Sequence, residues 1–119
     1  LVPMNPERVR DYVDTVEQVC TEYGMEPLIT LTSLSDRCFD STVPLLFERD
    51  KPEAAERAHA CYNALLIAGQ ALGCVPYRAG ITSMTWYTGI DSPHWRLAKQ
   101  LKTAVDPNHI IAPGRYNLI

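Results

Sequence analysis

The sequence predicts an α+β protein: a helix-strand-strand-helix layer, half of a ferredoxin-like arrangement, followed by a loop-rich segment and a C-terminal helix. Three observations carry this expectation. Two long stretches open on a capping residue and close on a glycine. Two short stretches rich in leucine, threonine and valine lie between them. After residue 73 the apolar period disappears until a last proline-led segment.

The first helix starts at Asn5-Pro6-Glu7, with Asn5 as N-cap, Pro6 at the first helical position and an acid in the first turn. Val9, Val13, Val16, Val19 or Cys20, and Tyr23 recur at helical spacing, and Gly24 suits a left-handed cap. "PLITLTSL", 27–34, has strand composition, and "SDR", 35–37, begins a turn. "STVPLLFERD", 41–50, reads as a second strand, placed at an edge or bulge by Pro44. Asp50 is expected to cap an alanine-rich helix from about Lys51 to Leu72, ended by Gly73. Both helices should cover one face of the strand pair. Two strands are marginal alone, so further strands are expected from a longer chain.

"GITSMTWYTGIDSPHW", 80–95, reads as a loop or lid. Asp91 or Ser92 with Pro93 starts the last helix, with Trp95, Ala98, Leu101 and Val105 inward and Arg96, Lys99 and Lys102 outward. Two regions result, 1–73 and 74–119.

Composition narrows the function classes. A chain of 119 residues with a net charge of −3 has no basic face for nucleic acid. No apolar run approaches the ~20 residues that span a bilayer, so neither nucleic acid nor membrane is expected as a partner. The four cysteines show no C-x-x-C pair and no histidine at zinc-ligand spacing, so no metal is expected. Cys20 and Cys61 fall within helical patterns, where a buried thiol acts as a small hydrophobe. The chain starts at Leu1 without an initiator methionine and reads as a piece of something longer.

Chemistry concentrates in two stretches. "CVPYRAG", 74–80, sets Tyr77 beside Arg78. They are either loop residues facing water or an anion clamp, in which a neutral phenol donates a hydrogen bond and a guanidinium adds charge. A free phenol has a pKa of about 10, so a dry site of this kind would favour its ionised form by several kcal/mol. "DPNH", 106–109, and "APGR", 112–115, are turns, the second placing Arg115 just past Gly114. His59 and His94 read as surface residues. Asp36, Asp40 and Glu48 are bases by type, with no spacing that singles out a pair.

The order "PYRAG", a mixed aromatic segment, a helix and "AVDPNHIIAPGRYNLI" resembles the carboxyl end of flavoproteins of the vanillyl-alcohol oxidase and p-cresol methylhydroxylase family. The upstream stretches "VPMNPERVRDYV", "GMEPLITLTSL" and "VPLLFERD" are similar to that family's cap domain, so the resemblance spans nearly the whole chain. It implies that 1–73 is the C-terminal part of a substrate-covering cap and 74–119 a segment returning to an FAD-binding domain. Tyr77 and Arg78 match the phenolate ligands of the phenol-oxidising branch. Arg115 matches a basic residue near the flavin pyrimidine edge, with Asn108 and Gly114 beside it in a motif shared by many FAD-linked oxidases. His109 stands where a glycine is more usual. Leu31, Ser33 and Asp40 become substrate-pocket candidates, with Asp40 or Ser41 in the stretch where the family carries an active-site histidine.

The implied reaction is oxidation of a para-substituted phenol by hydride transfer to FAD, held mainly by sequence outside this chain. Oxidation of a non-phenolic hydroxy acid, or a stand-alone α+β ligand-binding or regulatory module, are the alternatives. Implied partners are the FAD-binding domain of the parent chain, a small phenolic substrate, a cytochrome c where oxygen is not the acceptor, and a second copy paired through exposed strand edges. The expected location is cytoplasmic, or periplasmic for the parent protein. The chain alone is expected to be inert.

Overall fold

The computed structural model describes residues 1–116. The chain divides into two compact units, Leu1–Tyr77 and Arg78–Ile119. The architecture is α+β, with strands β1 (Val2–Pro3), β2 (Thr30–Ser33) and β3 (Cys38–Thr42) and helices α1 (Pro6–Glu22), α2 (Pro52–Ala71), α3 (Met84–Thr88) and α4 (Pro93–Val105).

In the first unit, α1 begins as its sequence dictates. Asn5 is extended, and its Oδ1 accepts from the amides of Glu7 at 3.0 Å and Arg8 at 3.2 Å, satisfying two donors that have no partner within the helix. Both long helices end in the same way. Gly24 has φ +64° and Gly73 φ +73°. At the end of α1, the Gly24 amide reaches the Thr21 carbonyl at 3.0 Å and the Met25 amide the Cys20 carbonyl at 2.8 Å. At the end of α2 the same two bonds run from Gly73 to Gln70 at 3.0 Å and from Cys74 to Gly69 at 2.8 Å. This paired closure needs a left-handed residue, which glycine adopts without a Cβ penalty, and it tucks Met25 and Cys74 inward.

The sheet is antiparallel throughout, in the order β1-β3-β2. Its third strand comes from Val2–Pro3, which pairs Val2 with Phe39 and Pro3 with Cys38. The expected second strand at 41–50 is corrected to Cys38–Thr42. Pro44 offers no amide for a ladder, and the chain leaves the sheet before it, taking Val43 and Leu45 onto the core instead. The expected first strand narrows to Thr30–Ser33.

The core of this unit lies between α1 and α2: Val16, Cys20, Met25, Ala58 and Cys61, with Tyr12, Val19, Tyr23, Ile29, Val43, Leu45 and Leu65 packed around them. The buried residues of α2, Ala54, Ala58 and Cys61, are small, so the two helices approach closely. Asp50 does not cap α2. Pro52 takes the first helical position, which makes Lys51 the N-cap, without a side-chain bond to the helix. Lys51 instead pairs with Glu48 at 2.6 Å on the surface.

In the second unit, a 3-10 turn at Ile81–Ser83 and the short helix α3 stand where a loop was expected. Ser92 caps α4, accepting from the Trp95 amide at 3.3 Å. The inward stripe expected for α4 is corrected in its second half. Trp95 and Ala98 are half-buried, whereas Leu101 and Val105 are 58% and 74% exposed, so among the described residues nothing covers that end of the helix.

Candidate functional site

Strand register decides which candidates share a face. Leu31 lies opposite Ser41, Thr32 opposite Asp40, and Ser33 opposite Phe39. Successive side chains alternate across a strand, so Leu31, Ser33, Phe39 and Ser41 form one face. This face meets the helices: the Tyr12 hydroxyl of α1 hydrogen-bonds Ser41 Oγ at 2.8 Å, and Val2, opposite Phe39, is buried. Burial holds the Tyr12 phenol above its ordinary pKa, although the bond to Ser41 works against it. Thr30, Thr32, Asp40 and Thr42 form the other, open face. The three pocket candidates therefore do not converge: Leu31 and Ser33 lie on the face that meets α1, Ser33 at an exposed position, and Asp40 lies on the other face, opposite Thr32.

Tyr77 and Arg78 lie in the irregular stretch released by the glycine end of α2 and stiffened by Pro76, and both are exposed. Tyr77 closes the first unit and Arg78 opens the second. Beside them Cys74 is buried, and its thiol is raised above its ordinary pKa chiefly by that burial, against the pull of the terminal amino group and Arg8.

The turn pair in the second unit is built around a carboxylate. Asp106, 3% exposed, accepts from the Ile110 amide through Oδ1 and from the Ile111 amide through Oδ2, both at 3.0 Å, and from Lys102 Nζ. Lys102 also donates to the Ile111 carbonyl at 2.6 Å. The Lys102 ammonium first, and then the two amides, outweigh burial and hold the Asp106 carboxyl at about 2. The sequence reading gave Asp106 only a turn-starting role and turned Lys102 outward. Their i, i+4 spacing at the end of a helix was the signal that could have paired them.

Around this anchor the backbone takes left-handed values at residues that rarely adopt them: His109 at φ +53°, Ala112 at +46° and Tyr116 at +48°, with Gly114 at +73°. Three such non-glycine residues in one short loop indicate stored strain of the kind found at ligand sites. The Arg115 amide closes the second turn on the Ala112 carbonyl at 3.1 Å. Tyr116 is held by a hydrogen bond that its backbone amide donates to Met84 Sδ at 2.8 Å and by stacking on Trp95 at 6.4 Å between centroids. Asn108, Gly114 and Arg115 all lie exposed on this loop, and apart from Gly114 and its chain neighbours no described atom comes within 4 Å of the point where a Cβ on Gly114 would sit. A flat anionic edge can therefore approach the bare backbone at Gly114 with the Arg115 cation beside it. Asn117 to Ile119, which end the motif, lie outside the described residues. Among the described residues no cluster could hold a metal ion and no helix is long and apolar enough to cross a membrane.

The Asp106 anchor has a testable pH signature. Its carboxyl is lowered from an ordinary 3.8 to about 2 in the fold, so its contribution is complete above about 3.8 and is lost as pH falls toward about 2. Amide exchange at Ile110 and Ile111, followed from pH 5 downward, should show protection lost over that window. Asp106→Asn, which cannot offer two anionic oxygens, should remove the protection at every pH.

No family model matches the chain. Among curated proteins, it is 33% identical over 116 residues to 1'-carboxy-chondrochloren decarboxylase of Chondromyces crocatus, covering 98% of this chain and 21% of that protein. It is 32% identical over 100 residues to the flavoprotein subunit of 4-cresol dehydrogenase (hydroxylating) of Pseudomonas putida, covering 83% of this chain and 19% of that protein. A solved structure of p-cresol methylhydroxylase with substrate bound superposes with a TM-score of 0.84 at 27% identity, covering 94% of this chain and 22% of that one. The chain thus spans about a fifth of the length of the relatives it matches. Shared sequence and shared fold over nearly all of its residues agree: the chain belongs to the vanillyl-alcohol oxidase and p-cresol methylhydroxylase family of flavoproteins.

Proposed function

We propose that the protein carrying this chain is a flavoprotein oxidoreductase that oxidises a para-substituted phenol at its benzylic carbon. The observation that carries this reading is the superposition, at a TM-score of 0.84, on p-cresol methylhydroxylase with substrate bound. In this reading 1–73 covers the substrate and 74–119 returns to the flavin-binding part. Bound FAD supplies the hydride acceptor.

The chain's own residues prepare the substrate. Tyr77 donates a hydrogen bond to the phenol oxygen and Arg78 adds a permanent positive charge, so the phenol ionises more readily on binding. Ionisation pushes electron density to the para carbon, and loss of a benzylic hydride then leaves a neutral quinone methide in place of a cation. Arg115, beside the open backbone at Gly114, is the cation that would favour an anionic reduced flavin. Asp40, on the open face of the sheet, is the chain's base for a proton released by the substrate.

The test is anaerobic mixing of the full-length protein with a para-alkylphenol. Absorption of the oxidised flavin should bleach with the phenol and persist with a 2-hydroxy acid. The reverse pattern would sink the phenolic reading and leave the hydroxy-acid alternative.

The decarboxylase, matched over 98% of the chain, favours a second reading. A quinone methide also accepts the electron pair of the bond to a carboxylate on the neighbouring carbon. Carbon dioxide leaves, and the product is a vinyl phenolate. Release of carbon dioxide from a carboxylated phenol, with no alcohol formed, would select this outcome over water addition.

A further inference from the structure

Cys20 on α1 and Cys61 on α2 are fully buried, and both belong to the cluster that joins the two helices. Neither is in a disulfide. Burial and the adjacent Cys20 thiol, hydrogen-bonded to it, raise the Cys61 thiol to about 11. The small residue Ala58, in the same cluster, lets the helices approach closely at this point, and close backbones are what a disulfide requires, with Cα atoms within about 7 Å. The other two thiols are placed differently. Cys38 lies on the central strand near Ser35 Oγ, and Cys74 follows α2 under the influence of Arg8. No step of the proposed reaction uses the buried pair.

We propose that Cys20 and Cys61 form a latent cross-link, which a peroxide closes into a disulfide that ties α1 to α2. In the first step one thiol, as its thiolate, attacks the peroxide oxygen, giving a sulfenic acid and one water. In the second, the other thiol attacks the sulfenic sulfur, the S–S bond forms and a second water leaves. Overall, two thiols lose two electrons and two protons, and one hydrogen peroxide becomes two waters. Both thiols are fully shielded, so the rate follows opening of the helix pair, not direct attack on the closed fold. Once closed, the cross-link resists the same opening that admitted the oxidant. The site is thus set to lock after one excursion.

The experiment uses the full-length protein, treated with hydrogen peroxide with and without mild denaturant, alkylated under non-reducing conditions and mapped by mass spectrometry. The expected result is a linked peptide pair containing Cys20 and Cys61, lighter by two hydrogens, forming several-fold faster in mild denaturant and reversed by dithiothreitol. The oxidised protein should melt several degrees above the reduced one. Cys61→Ala and Cys61→Ser should each lose the linked pair. Three results would overturn the proposal: both thiols still alkylated after peroxide in mild denaturant, sulfinic acid at either position without a linked peptide, or a cross-link that lowers the melting point. These readouts do not depend on the flavoprotein reaction.

Discussion

Arg78→Ala in the full-length flavoprotein is expected to weaken binding of a para-substituted phenol by roughly 100-fold, the scale on which loss of one charged or hydrogen-bonding group at a developing oxyanion is felt. Tyr77→Phe should cost less, about tenfold, because it removes one neutral donor and leaves the charge. The two residues do different work. The guanidinium is charged at every accessible pH and its fork of donors suits an oxygen anion, whereas the tyrosine contributes only while its hydroxyl keeps its proton. Arg78→Lys should therefore restore part of the affinity, as a point charge without the fork. The measurement is titration of a non-reactive phenol, followed by the change in flavin absorption, at several pH values. In the wild type the bound phenol should ionise well below its free pKa of about 10, and in Arg78→Ala that depression should shrink. Unchanged affinity in the double variant would remove Tyr77 and Arg78 from the site and the phenolic reading with them.

Ala58→Leu is expected to destabilise the first unit by about 1–3 kcal/mol, the cost of forcing extra carbons into a packed contact. Ala58 is 4% exposed and lies in the cluster with Val16, Cys20 and Cys61, where the buried residues of α2 are all small. A leucine there must separate the helices or adopt a strained rotamer. Ala60→Leu, two residues along on the exposed side of the same helix, should stay within about 0.5 kcal/mol of the parent. Thermal melts of the two variants side by side make the comparison. Equal midpoints would mean that the close approach of α1 and α2 is not what holds the unit together.

Helix ends were legible because their causes are local. Asn5, Pro6 and Gly24 around α1, Gly73 after α2, and Ser92 with Pro93 before α4 each act within a few residues of themselves. The left-handed backbone at His109 was legible for the same reason, from its place after Asp106-Pro107-Asn108. The strands were less so. Val2–Pro3 is too short to carry a pattern, and "CFDST" shows no clean alternation, because half of its face meets helices and the other half carries a polar, open surface. The buried side of α2 was hidden by alanines on every side of the helix, and Lys51 displaced Asp50 as its cap through the position of Pro52.

The candidate site divides along the same line. Tyr77 with Arg78, and the loop from Asp106 to Arg115, are short motifs whose chemistry is written in adjacent residues, and the family was readable from them. The faces taken by Leu31, Ser33 and Asp40 depend on strand register, a long-range property that a shift of one residue would reverse. The carboxylate cage of Asp106 needed Lys102 to turn back and two amides to converge.

By itself, then, the sequence determined the extent of α1 and α4 and the end of α2, the α+β class of this protein and the family to which it belongs, since caps, turns and motifs act over a few neighbouring residues. Only the tertiary structure decided which strand is central, which face of the sheet stays open and which thiols meet in the core. Those depend on pairing and packing between residues far apart in the chain, where the free energy of burial, and not local preference, selects the partner.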